Sequence, residues 1–402
     1  MNGASLRIAL FTHSVNPRGG VVHTLELAQA LHMHGHHVTI FAPAADGDVM
    51  FRESPCNVVL APVTEPETNT VDMVGARIQA LKRAFMRSHR EHDADAFEVL
   101  HAQDSISGNA LAELKEEGAI RGFVRTVHHL DHFTDPKLAQ WQTRAWRDAD
   151  TVLCVSDTWT RQMRDVYHVD ALTVPNGVDV QRFSATAAMP GEGPALRVKL
   201  GLVGAPVVLA LGGIEARKNT RMLLDAFAQV RATHPIAQLV IAGGASLLDH
   251  NAYAREFFSR AASLGLAVGE GEPVLVSGPI DDALIPALLR CADAVAMVSL
   301  REGFGLVVLE ALASGRPVVV SRIAPFTEYL NDTLCHWADP DDAASIACAL
   351  RDALDRPNNA TDFVDAVPAL LGRFSWLTSA RRHLDIYQHW LANQPCNTTE
   401  DL

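Results

Sequence analysis

A chain of 402 residues exceeds what one ordinary hydrophobic core organises, so two domains of roughly 200 residues each are expected. Hydrophobic content of 48% beside 20% charged residues describes a soluble globular protein, and a formal charge of −13 excludes a general nucleic-acid binder, which would carry a basic face. Six scattered cysteines without paired or metal-type spacing, and an N-terminus (MNGASLRIALFTHS) without a signal-peptide layout, suit a reducing cytoplasm.

No segment reaches the roughly 18 to 20 uninterrupted apolar residues of a membrane span. Strand and helix patterns alternate instead. Predicted strands run over Leu6–Thr12, His37–Ala42, Asn57–Ala61, Val99–Ala102, Phe123–Val127, Thr151–Val155 and Ala171–Val174. Most are short, rich in Val, Ile and Leu, and apolar on both faces, as a covered parallel sheet requires. Helical patterns lie between them at Val22–Met33, Asp72–His92 and Ser107–Glu117.

Several motifs punctuate this half. After the first strand, Gly19 and Gly20 allow close backbone approach and open an amphipathic helix. The G-x-G-x-x-G dinucleotide fingerprint is absent there, which disfavours a nicotinamide-dependent dehydrogenase. Histidines 32, 34, 36 and 37 read as a helix end with Gly35 as its cap. Arg77–Arg90 sets Ile78, Leu81 and Phe85 on one face and Lys82, Arg83, Arg87 and Arg90 largely elsewhere. That basic amphipathic helix either packs on the sheet or offers a peripheral contact (residues 77–90) to an anionic bilayer. TVHHLDHF follows the fifth strand and places His128 where it reaches a sugar hydroxyl, with His129 or Asp131 as candidates to hold it. No complementary carboxylate or cysteine set accompanies these histidines, so a metal is not expected.

At Val174–Gly177 the alternation halts, and the polar stretch Ser184–Gly204 reads as a linker. The pattern then restarts. Predicted strands are Val207–Gly212, Gln238–Ala242, Val274–Val276, Ala294–Ser299 and Pro317–Ser321. The helices between are Arg221–Ala232, Ala252–Leu264, Asp282–Cys291 and Gly305–Ser314. Two doubly wound α/β units facing a cleft are the fold expected. In GGIEARKNT, Arg217 and Lys218 precede a helix, with Asn219 and Thr220 as cap candidates. Two cations there suit a diphosphate.

The most informative stretch is REGFGLVVLEALASG, Arg301–Gly315. Glu302 precedes a Gly303-Phe304-Gly305 turn, and Glu310 follows one turn inside the helix. A helical wheel puts Glu310 with Leu306, Leu309 and Ala313. A carboxylate on such a stripe needs hydrogen-bond donors, which ribose or sugar hydroxyls supply. The glycine-flanked helix start offers free N–H groups to a phosphate. Together these features describe a nucleotide-sugar site.

Taken together, these segments resemble the retaining glycosyltransferases of family 4 (glycosyl transferases group 1), which have the GT-B fold. The resemblance runs over nearly the whole chain: GHHV (35–38), HAQD (101–104), TVH (126–128), PNGVD (175–179), RKN (217–219), GPI (278–280), EGFGLVVLEALASGRPVV (302–319) and FSW (374–376). It implies an N-terminal acceptor-side domain (1–180) completed by a C-terminal helix (about 378–402) that crosses back to it. A donor-binding domain (181–377) lies between.

It also implies site residues. Glu302 matches the glutamate beside the donor sugar, a nucleophile or a stabiliser, and Glu310 the one on the ribose. Lys218 matches the diphosphate lysine. Gly305 and Leu306 match the phosphate-binding helix start, which Gly303 and Phe304 lead into. Ile280 matches a backbone contact to the base, Gly19 and Gly20 the turn near diphosphate and acceptor, and His128 the histidine approaching the reacting sugar. Many members carry an arginine where this chain has Gly213; Arg217 is the candidate for that charge. The activity implied is metal-independent, retaining transfer from a nucleoside-diphosphate sugar to an acceptor hydroxyl on a glycan, lipid or small molecule, with closure about Val174–Asp179. A GT-B nucleotide-sugar epimerase and a non-catalytic nucleotide-sugar-binding protein are the alternatives.

Overall fold

The computed structural model describes residues 5–64, 69–91, 97–187, 191–244, 251–355 and 361–393. The chain divides into two compact units: Met1–Asn176 with Trp376–Leu402, and Gly177–Ser375. Each is a Rossmann-like unit with helices flanking a parallel sheet.

The first unit comprises β1 (Arg7–Phe11), α1 (Gly19–Met33), β2 (His37–Ala44), β3 (Asn57–Pro62), α2 (Thr70–Glu91), β4 (Val99–Ala102) and α3 (Ser105–Glu116). It continues with β5 (Val124–Val127), α4 (Pro136–Arg147), β6 (Thr151–Cys154), α5 (Asp157–Tyr167) and β7 (Ala171–Thr173). Strand order is β3-β2-β1-β4-β5-β6-β7, parallel throughout. Order reverses between β1 and β4, so loops leaving the carboxyl ends of β1, β4 and β5 gather at a switch point, where ligands of such sheets bind. Asp104 fixes the entry to α3: its side chain accepts from Ser107 N while Ser107 Oγ accepts from Asp104 N, a reciprocal cap.

Phe11 stacks on Phe41 (ring centroids 4.7 Å apart), and Ile78, Leu81 and Phe85 of α2 are buried against them. The apolar side of α2 is therefore consumed by the unit's own core and is not available for insertion into a bilayer. Lys82 pairs with Glu113 (3.3 Å) and Glu117, while Arg83 and Arg87 stay exposed. No helix among the described residues is long and apolar enough to cross a membrane.

The second unit comprises α6 (Val180–Phe183), α7 (Glu192–Lys199), β8 (Val207–Leu211), α8 (Thr220–Val230), β9 (Gln238–Ala242), α9 (Asn251–Ser263) and β10 (Val274–Gly278). It ends with α10 (Ile285–Cys291), β11 (Ala294–Met297), α11 (Leu306–Ala313), β12 (Val318–Ser321), β13 (His336–Ala338), α12 (Ala343–Asp355) and α13 (Thr361–Arg373). Strand order is β10-β9-β8-β11-β12-β13, again parallel. Leu224, Phe227, Phe257 and Leu350 pack against one face of this sheet with Val208, Leu239 and Ile241.

The stretch read as a linker is largely structured. Gly191, in the left-handed region, precedes α7, Leu196 is buried, and Glu192 pairs with Arg290 of α10 at 2.7 Å. Its glycines and proline mimic a linker because they start a helix. Pro190 and His92, the latter assigned to a helix above, lie outside the described residues.

The final helix, α14 (Trp376–Ala392), belongs to the first unit. Tyr387 is wholly buried there, with its hydroxyl 2.6 Å from Nδ1 of His101 on β4. Residues 394–402, assigned to the same helix, lie outside the described residues.

Candidate active site

Because β8 and β11 are neighbours, the loops leaving their carboxyl ends meet, and Leu300 N donates to Arg217 O at 2.9 Å. Lys218 Nζ donates to Glu302 Oε2 at 2.7 Å, and Arg217 Nη1 reaches both Glu302 oxygens at 3.2 Å. Ser299 Oγ (3.4 Å) and Gly303 N (3.1 Å) donate to the same carboxylate. Arg217 Nη2 also reaches Glu215 Oε2 at 3.4 Å. Only 12% of the Glu302 side chain and 14% of that of Lys218 are exposed. Burial pushes the Glu302 carboxyl up, but the Lys218 and Arg217 charges more than offset this and hold it at about 2.

Glycines make room for this cluster. Gly212 holds φ at +126°, which L side chains rarely adopt, and a Cβ there would lie 2.9 Å from Lys218 Cε, so a larger residue would be strained and would displace the lysine stem. A Cβ on Gly213 (φ +74°) would lie 2.7 Å from Gly244 O. This position, where the family pattern has arginine, cannot carry a side chain without a backbone shift. Asn219 departs from its expected capping role. Its backbone is left-handed, and its side chain donates instead to Val298 O (3.2 Å) and Pro340 O (2.7 Å), strapping the β11 end to the segment after β13.

Phe304 anchors the glycine turn. It is buried, stacks on Tyr329 at 5.3 Å, meets Phe374 edge-on at 5.6 Å, and its carbonyl accepts from the Tyr329 hydroxyl at 2.8 Å. Gly305 (φ +93°) turns the chain into α11, where a Cβ would meet the Phe326 ring at 2.4 Å. The Gly303 amide is not free for a phosphate, since Glu302 takes it. Val308 N already donates to Gly305 O at 3.0 Å, which leaves the amides of Leu306 and Val307 as the first-turn donors without an intrahelical acceptor. Glu310 does not share the buried stripe expected for it. Leu309 faces the core with Val308, Ala311 and Leu312, whereas Glu310 lies on the half-buried side with Leu306 and Ala313. Ile280 is half-buried in the loop after β10, on the same carboxyl edge.

In the first unit, Gly19 and Gly20 are the opening residues of α1, and a Cβ on Gly20 would sit 3.7 Å from the His128 ring. His128 follows β5, half-buried, with its Nε2 shielded and unpartnered among the described residues. Burial, then the nearby His23 and Arg125, push it well below the ordinary histidine range, so the ring is neutral. His129 and Asp131 do not hold it; they lie 3.5 Å from each other. His128 instead packs edge-on against His23, centroids 4.7 Å apart.

Sequence reasoning passed over Glu215, Ser299, Tyr329 and His23. Glu215 had a signal, its two-residue offset from Arg217. Tyr329 and His23 had none, since each meets its partner only through the fold. Among the described residues, no group of three or more His, Cys, Asp or Glu is arranged to hold a metal ion.

Comparison with known proteins sets this pair of parallel α/β units among sugar-transferring enzymes. Residues 17–182 match the family model Glycosyltransferase Family 4, and residues 194–368 match Glycosyl transferases group 1. The D-inositol 3-phosphate glycosyltransferase of Acidothermus cellulolyticus is 28% identical, covering 96% of this chain and 88% of its own. The phosphatidyl-myo-inositol mannosyltransferase of Mycobacterium leprae is also 28% identical, covering 94% of each. Anabaena HepE, solved with UDP and glucose, shares the fold at a TM-score of 0.73 and 19% identity, covering 96% of this chain and 100% of its own. Sucrose-phosphate synthase from Thermosynechococcus elongatus does so at 0.76 and 21%, covering 96% and 99%. The chain belongs to the family 4, group 1 glycosyltransferases and has the GT-B fold. It is a hexosyltransferase.

Proposed function

We propose that this enzyme moves a sugar from a nucleoside-diphosphate donor to a polyol hydroxyl, with retention of anomeric configuration and without a divalent metal. The observation that carries this is the Lys218–Arg217–Glu302 cluster at the carboxyl edge of the second sheet, beside the start of α11. Two cations within reach of one carboxylate can turn toward a diphosphate, and the first-turn amides add partial positive charge. As the bond from the sugar's anomeric carbon to phosphate breaks, Lys218, Arg217 and these amides take up the negative charge on the leaving group. Glu302, ionised at all working pH, steadies positive charge developing at the sugar ring. A departing phosphate oxygen accepts the proton of the acceptor hydroxyl as the acceptor's oxygen bonds to the anomeric carbon on the face the phosphate leaves. Glu310, on the accessible side of α11, suits ribose hydroxyls, and the Ile280 backbone suits the base.

The donor reading is supported by HepE, solved with UDP-glucose. The acceptor reading is supported by relatives named for inositol phosphate and phosphatidyl-myo-inositol. The test incubates the purified protein with UDP-, GDP- and ADP-sugars, with and without myo-inositol and its 3-phosphate, in EDTA. Proton NMR then reads the product's anomeric coupling. A retained anomer in EDTA is expected. An inverted product, or turnover abolished by EDTA and restored by a divalent ion, overturns the mechanism. An isomerised nucleotide-sugar formed without acceptor would mark an epimerase.

A further inference from the structure

Two chain crossings link the units, after Asn176 and before Trp376. Within the first unit both ends close on one side chain. His23, in the second turn of α1, is wholly buried. Its Nδ1 donates to Asn176 Oδ1 at 2.9 Å, and its ring meets the Trp376 indole edge-on at 5.3 Å. A third edge of the same ring contacts His128 at 4.7 Å, and His383 of α14 lies at 6.1 Å. Because the Asn176 oxygen can only accept, the Nδ1–H tautomer is selected, leaving Nε2 bare and without a partner among the described residues. Gly20, one turn before His23, also lies against His128, where a Cβ would sit 3.7 Å from the ring, and its carbonyl takes a 2.7 Å hydrogen bond from Thr24 Oγ1.

We propose that His23 is a positioning residue: it sets the orientation of the His128 imidazole and ties that orientation to both chain crossings. Packed interiors pass displacement on rather than absorb it, because no free volume separates the rings. A backbone shift at residue 176 or 376 must therefore move His23, and with it the ring packed against His128. Where His128 approaches the reacting sugar, as the family resemblance implies for the transfer proposed above, movement at the crossings reaches the chemistry through this ring.

The test begins with readouts that need no activity. In the full chain labelled at histidine, the His128 imidazole signals are assigned with His128→Gln. His23→Phe keeps an aromatic ring, slightly larger, but removes the Nδ1–H. It should shift or broaden the His128 signals and raise amide exchange at both 174–176 and 376–379 by at least tenfold, with exchange in β1 and β4 unchanged. Asn176→Ala, should His23→Phe fail to fold, removes only the partner of His23 and does not touch His128; it should still move the His128 signals. Unchanged His128 signals in a folded variant, or looser exchange at one crossing only in His23→Phe, overturn the proposal. In turnover, His23→Phe should lower transfer about tenfold at unchanged donor KM and raise free sugar released per transfer. If the NMR and exchange effects occur but the wild type moves no sugar, the anchoring stands and the function proposed above falls.

Discussion

Glu302 and Lys218, 84 residues apart in sequence, meet at 2.7 Å because they follow adjacent parallel strands. Lys218→Ala leaves a nearly buried carboxylate beside Arg217 with one cation fewer. Losing one charged hydrogen bond at such a site costs about 1–3 kcal/mol. Turnover should fall about 100- to 1000-fold, the scale for removing one group that stabilises leaving-group charge. A thermal midpoint a few degrees lower with turnover nearly abolished is the expected pair of results; near-normal turnover removes Lys218 from the chemistry.

Arg217, not residue 213, carries the guanidinium in this loop. Arg217→Ala should therefore lower turnover at least tenfold, and adding Gly213→Arg should not rescue it. The second change demands a side chain at φ +74°, with its Cβ 2.7 Å from a carbonyl oxygen. Gly213→Ala alone should cost about 1–3 kcal/mol. Urea denaturation of the three variants checks this, and a fully active double variant would show that the loop tolerates the family's arrangement.

Gly305→Ala tests the turn that launches α11. The added methyl would press on Phe326 at 2.4 Å from a backbone at φ +93°. Either Phe326 leaves the buried group holding Tyr329 and Phe304, or the turn unwinds. Donor affinity, read by thermal shift with nucleotide-sugars, should drop with stability. Glu310→Ala should weaken the donor and leave stability nearly unchanged, because its side of the helix is half-open. Isothermal titration of donor into the two variants separates the effects, and unchanged affinity in Glu310→Ala would contradict ribose contact.

The alternation of apolar strands was legible because a parallel sheet covered on both sides leaves no polar face to blur it. β13, three residues at the sheet edge, carries too little pattern to register. α7 was hidden by the glycines and proline at its start. In the site, Glu302, Lys218 and Arg217 stood out as charges placed right after strands. Their mutual pairing did not, since it depends on β8 and β11 being neighbours, a fact of strand order that spacing does not encode. Asn219 shows the same limit. Its place before a helix suggested a cap, but a left-handed backbone turned its amide toward two carbonyls from distant loops.

The first unit should lose stability as pH falls below 6.5. His23 is pushed down to about 3 and His383 to about 4, chiefly by burial, while His101 and His128 also lie well below the ordinary range. Facing them are one another, Arg125, His129 and the Tyr387 hydroxyl. Each is neutral when folded and takes up a proton near pH 6.5 when unfolded. Their stabilisation is therefore complete above 6.5 and declines as pH drops toward each folded value, by about 1.4 kcal/mol per pH unit for each histidine. Glu302 acts in a lower window. Its folded value of about 2 means its contribution is complete above 4.5 and fades only below that. The slope between pH 6.5 and 5 thus belongs mainly to the histidines. Urea unfolding across that range should show it, and His383→Leu, which removes one such group outside the proposed chemistry, should flatten it by about one proton; an unchanged slope would mean the buried rings do not control acid stability.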